Sequence, residues 1–137
     1  MGRDRERTAV IFLRKNEVVE IHRRAIDEFG GSQGIRDEAL LDSALVAAEN
    51  RRWYEEADIA VCAATYAYHL TQAHAFLDGN KRVAAAASEV FLLVNGARLE
   101  ASDDEMLDLF LGIAAGTRPR DEVEAWFQTH VVVAESR

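Results

Sequence analysis

The chain has 137 residues, 49% of them apolar, enough for one domain with a real core that needs no metal or disulfide to hold it. Sixteen basic against 24 acidic residues give a net charge of −8. General nucleic-acid binding depends on neutralising phosphates, so this balance argues against it; a single nucleotide needs only a local positive site and stays open. The lone cysteine, Cys62, can form no internal disulfide, and no run approaches the roughly 20 apolar residues of a membrane helix. Residues 1–8 alternate arginine with acids and lead into no secretory hydrophobic run, which reads as a flexible tail on a single cytoplasmic domain spanning residues 1–137.

Apolar residues recur at helical spacing almost throughout. Val18, His22, Ala25, Ile26 and Phe29 mark a first helix, closed by Gly30, Gly31 and Gly34. His22 falls on the apolar stripe and reads as a core histidine. Asp37 is placed to N-cap a second helix that buries Leu41, Ala44, Leu45 and Ala48. The pattern breaks over residues 51–57, which read as a loop carrying Trp53 and Tyr54. A third helix has Ile59, Cys62, Ala63, Tyr66 and Leu70 on one stripe. The fourth, residues 80–94, runs from Val83 through four alanines to Phe91, Leu92, Leu93 and Val94 with almost no polar face. A helix apolar all round belongs at the centre of a bundle.

Gly96 ends that helix. Ser102 and Glu105 have the spacing of a capping box that opens a fifth helix bearing Met106, Leu107, Phe110, Leu111 and Ala114. Pro119 stands near the start of a sixth, where Val123, Trp126, Phe127 and Val131 recur. Only residues 10–13 and 97–99 invite short strands. The expectation is an all-α, compact six-helix bundle around a central buried helix.

Between the third and fourth helices lies His74-Ala75-Phe76-Leu77-Asp78-Gly79-Asn80-Lys81-Arg82. Gly79 lets backbone approach a ligand closely. Asn80, Lys81 and Arg82 open a helix, so free N–H groups and the positive dipole end point the same way. Lys81 and Arg82 add full charges suited to phosphate oxygens. Asp78 beside an anion site is how Mg²⁺ is usually held, although the same carboxylate could simply N-cap the helix. His74 is of the type that accepts a proton near neutral pH and activates a hydroxyl. Phe76 is an apolar peg for the loop. His69 and His74 lie on different helix faces and do not make a zinc pair.

This loop resembles the signature of the Fic/Doc family, His-x-Phe-x-Asp/Glu-Gly-Asn-Gly/Lys-Arg, at every defined position. Ile21-His22, Gly30-Gly31, Gly34-Ile35-Arg36-Asp37, Leu40-Leu41 and Asn95-Gly96 extend the resemblance over most of the chain. Lys81 stands where typical Fic adenylyltransferases have glycine, and Ala85 where they have a second arginine; both features are similar to the Doc branch. The resemblance implies a toxin kinase that transfers the γ-phosphate of ATP to a threonine or serine of a protein, elongation factor Tu in Doc toxins, and stops translation. It implies catalytic roles for His74, Asp78 and Arg82, nucleotide contacts from Phe76, Gly79, Asn80, Lys81 and Arg82, and Mg²⁺ on Asp78. AMP transfer by a Fic-type adenylyltransferase is the alternative, and an inactive nucleotide- or protein-binding member is a third reading. Many family members carry an inhibitory Ser/Thr-x-x-x-Glu segment; no serine or threonine here has glutamate four residues on. A separate Phd-like antitoxin is the partner this implies, and Trp53 and Tyr54 stand where Fic proteins have a target-docking flap.

Overall fold

The structure is a computed structural model that describes residues 9–134. The proposed N-terminal tail, residues 1–8, lies outside the described residues. Helix α1, Lys15–Phe29, buries Val18, His22, Ala25 and Ile26 and stops at Gly30. Helix α2, Glu38–Glu55, begins on Asp37, whose carboxylate accepts from the Leu40 N–H at 3.0 Å. Its inner face is the expected Leu41, Ala44, Leu45 and Ala48.

Helix α3, Ile59–Ala73, is capped by the Asp58 carboxylate, which accepts from Val61 N–H at 2.8 Å. Ten of its 15 residues are buried, against six of the 15 in α4, Asn80–Val94. The centre of the bundle is therefore α3. The polar residues Thr65, Tyr66 and Thr71 disguise it in the sequence, whereas apolar α4 exposes Leu93 and Val94 at its C-terminal end. Helix α2 packs on one side of α3, α4 on another, and α5 (Asp103–Ala115) and α6 (Arg120–His130) complete the enclosure. The Ser102 hydroxyl accepts from Glu105 N–H while the Glu105 carboxylate accepts from Ser102 N–H, closing the capping box that opens α5.

Three local expectations are corrected. The loop placed at residues 51–57 is mostly helix: α2 runs on to Glu55, with Trp53 and Tyr54 exposed on its last turn. Residues 10–13 form no strand. Asn95 takes the place of a strand partner, its Oδ1 accepting from Ile11 N–H and its Nδ2 donating to Ile11 O, both at 2.8 Å. The Tyr66 hydroxyl accepts from Leu13 N–H nearby. Val131 leaves α6 and starts strand β2, Val131–Val133, which pairs antiparallel with β1, Ala97–Leu99, in the register Ala97 to Val133. Three consecutive β-branched residues favour the pleated ribbon over another helical turn.

Candidate functional site

Helix α3 ends at His74, which adopts the left-handed conformation (φ 50°) and turns the chain out of the bundle. The loop that follows is stitched down at both ends. Ala75 O accepts from the N–H groups of Arg36 and Asp37 at 2.7 and 3.0 Å, and Leu77 N–H donates to Gly34 O at 3.1 Å. Arg36 Nε donates to His74 O at 2.8 Å. A short antiparallel bridge joins Ile35 to Phe76.

Phe76 is 2% exposed, and its ring stacks on His22 with centroids 3.9 Å apart and planes 11° from parallel. His22 lies 2.7 Å from Asp78 O through Nε2; a carbonyl only accepts, so Nε2 carries the proton. The core reading of His22 holds, and the same ring also ties the loop to α1. Phe76, expected among the nucleotide contacts, does not border the cavity described below and is the peg of the loop.

Asn80 braces the same turn from the other side. Its Oδ1 accepts from Phe76 N–H and its Nδ2 donates to Phe76 O, both at 3.0 Å. The Asn80 side chain is thus committed to loop shape, and what it can offer an anion is its backbone N–H. The N-cap of α4 is Gly79 (φ +73°), which makes no side-chain cap bond. An added Cβ there would stand 3.0 Å from Ile26 Cδ1, so both the backbone angle and the space call for glycine. Val83 N–H is the first to find an acceptor within the helix, at Gly79 O. The N–H groups of Asn80, Lys81 and Arg82 therefore open the helix with no intrahelical partner.

Asp78 does not cap α4. Its Oδ1 accepts from Gly79 N–H at 2.9 Å and its Oδ2 from Ser32 N–H at 3.2 Å. Gly31 makes room for it: a Cβ on Gly31 would lie 2.7 Å from Asp78 Oδ2. A carboxylate offers about four lone-pair positions, so two such bonds leave capacity for a cation. Among the described residues no three His, Cys, Asp or Glu side chains cluster as a ready-made metal cage. One exposed carboxylate beside an anion site fits Mg²⁺, which is typically held by one or two carboxylates together with substrate phosphates.

His74, Asp78, Lys81 and Arg82 share the rim of one open cavity of about 500 Å³, within the range of small-molecule sites. Gly79 and Asn80 form its floor at the α4 N-terminus. Apolar lining comes from Ala85 of α4 and from Met106, Leu107, Phe110 and Ala114 of α5. The apolar residues of α5 are divided between core and surface. Leu109, Phe110 and Ile113 are buried, while Leu107 and Leu111 are exposed. The Arg82 guanidinium rests 4.8 Å from the ring centroid of Phe29, an exposed residue at the end of α1. Sequence reasoning did not find His22, Ser32, Thr71 or the α5 wall as parts of the site. The histidine on an otherwise apolar stripe was the one available signal.

Other reactive groups are quiet. Burial pushes the Cys62 thiol up to about 11, which makes it an inert core residue. Burial lowers His69 below the ordinary histidine range, helped by Arg120 and Arg51. No helix among the described residues is long and apolar enough to cross a membrane.

A histidine, a carboxylate and two cations around a helix start without a side-chain cap, together with apolar residues of α5, are groups that could hold a phosphate-bearing molecule with an apolar portion. Residues 12–92, more than half of the chain, match the Fic/DOC family, and the chain belongs to that family. It is similar to a protein described as "Toxin Doc" from Mycolicibacterium smegmatis, with 39% identity over 85 residues. The match covers 56% of this chain and 60% of the length of that relative.

Proposed function

We propose that this protein is a Doc-type toxin that transfers the γ-phosphate of ATP to a threonine or serine hydroxyl of a protein. The observation that carries the reading is the convergence of His74, Asp78, Lys81, Arg82 and the open start of α4 on one cavity. Phosphoryl transfer needs little covalent work from a protein; it needs positioning and charge stabilisation. Here the N–H groups of Asn80, Lys81 and Arg82 receive phosphate oxygens, and the two cationic side chains offset the charge that grows during transfer. His74 takes the proton of the attacking hydroxyl. Mg²⁺ held by Asp78 would neutralise and orient the phosphates.

Ala85 favours phosphoryl over AMP transfer. It offers the cavity a methyl group at the position where a second arginine would grip nucleotide phosphates. The similarity to "Toxin Doc" supports the toxin reading; elongation factor Tu as target, translation arrest as outcome and a Phd-like antitoxin as partner are what the resemblance of the motif to Doc-type members implies.

The test is label transfer in a translation extract with ATP labelled at either the γ or the α phosphate. Label entering protein only from the γ position, and lost in His74→Ala, is the expected result. Label from the α position establishes AMP transfer instead, and transfer that survives His74→Ala removes the mechanism. Growth arrest on expression, relieved by the cognate antitoxin, tests the toxin assignment separately.

A further inference from the structure

Thr71 lies one helical turn before His74 and borders the same cavity, yet it is 1% exposed and its hydroxyl has no hydrogen-bond partner. Three other helical hydroxyls settle back onto their own helix. Thr65 donates to Val61 O at 2.7 Å, Ser88 to Ala85 O at 2.9 Å and Thr129 to Ala125 O at 3.0 Å. Thr71 forgoes that bond. A buried hydroxyl without a partner is destabilising, and such groups in folded proteins call for an explanation.

The surroundings supply one. Besides Thr71, the cavity is lined by the apolar Met106, Leu107, Phe110 and Ala114 of α5 and by the charged Asp78, Lys81 and Arg82. We infer that Thr71 is a specificity residue for the nucleoside part of the substrate. The apolar wall takes the flat face of the base, and the Thr71 hydroxyl meets a polar edge of the base or the ribose. Threonine in a helix divides between two χ1 rotamers, so its hydroxyl can be redirected by a single staggered step. A hydroxyl both donates and accepts, which suits it to a ring nitrogen, an exocyclic amine or a sugar hydroxyl. This inference rests on the phosphoryl-transfer reading, since it divides that substrate into a phosphate end and a nucleoside end.

The test is Thr71→Val, which keeps the shape and removes the hydroxyl, with binding measured by calorimetry for Mg²⁺-ATP and for Mg²⁺-tripolyphosphate, which has no nucleoside. The expected result is ATP binding weakened about three- to tenfold, the worth of one neutral hydrogen bond, with tripolyphosphate binding unchanged. Tm should hold or rise, because no internal bond is lost. Thr65→Val, which does break one, should lower Tm by about 3–5 °C. Unchanged ATP affinity in Thr71→Val overturns the inference, as does an equal loss for both ligands or a fall in Tm like that of Thr65→Val. Failure of the unaltered protein to bind ATP would instead sink the transferase reading and take this inference with it.

Discussion

Replacing His22 with alanine removes a side chain that ties the His74–Arg82 loop to α1. Two interactions disappear: the 2.7 Å hydrogen bond to Asp78 O and the 3.9 Å stack on Phe76. Losing a part-buried bond and leaving its acceptor short costs about 1–2 kcal/mol, and a well-placed aromatic pair adds about 0.5–1.5 kcal/mol. The ring is 2% exposed, so its removal also leaves a void. A loss of about 2–4 kcal/mol follows, or a Tm fall on the order of 10 °C for a domain of this size. His22→Phe keeps a ring and loses only the donor, so it should cost about 1–2 kcal/mol. Thermal and urea unfolding of the three proteins measures both numbers. Transfer activity should fall further than stability explains, because a shift of about 1 Å in a reacting group can lower the rate on the order of 100-fold. If His22→Ala unfolds within about 1 kcal/mol of the parent and transfers phosphate equally well, the loop is held by something other than His22.

Phe29→Ala should leave stability almost unchanged, because the ring is 59% exposed, but it frees the Arg82 guanidinium. Losing an exposed cation–π contact of about 0.5–1 kcal/mol should lower transfer by about two- to fivefold; an unchanged rate would show that Phe29 does not orient Arg82. Cys62, with its thiol raised to about 11 by burial, should resist alkylation at pH 8 in the folded protein and react promptly in denaturant. Fast labelling of the native protein would mean that α3 opens. Burial holds His69 below its ordinary value, so the unfolded chain binds this proton more readily than the folded one. Its contribution is present above the ordinary histidine range and is lost as pH falls through it, so stability should drop between about pH 7 and pH 5. His69→Gln should flatten that part of the urea-unfolding profile, and an unaltered slope would refute the assignment.

The helices were legible because their signals are local. Asp37 and the Ser102–Glu105 pair cap where their spacing placed them, and the α2 face of Leu41, Ala44, Leu45 and Ala48 is buried as its period requires. The misreadings all come from tertiary competition. Trp53 and Tyr54 interrupt the apolar period and read as a loop, but they lie on the last turn of α2, exposed to solvent. Val131 continues a helical period, but β1 offers it a backbone partner. Apolar content placed α4 at the centre; packing on several sides placed α3 there.

The functional loop divides in the same way. His74, Asp78, Lys81 and Arg82 lie within nine consecutive residues, so a turn followed by a helix start is enough to gather them, and the sequence by itself determined that grouping. The conformation of the loop is decided elsewhere, by His22 on α1, by the Ser32 N–H on Asp78 and by the backbone of residues 34–37. The apolar wall of the cavity arrives from α5, and the unpartnered hydroxyl of Thr71 acquires meaning only once that wall stands beside it. Chain neighbours are brought together by bond geometry and leave a pattern in the sequence. Groups far apart in the chain meet only because burying the faces of the helices leaves them one common arrangement.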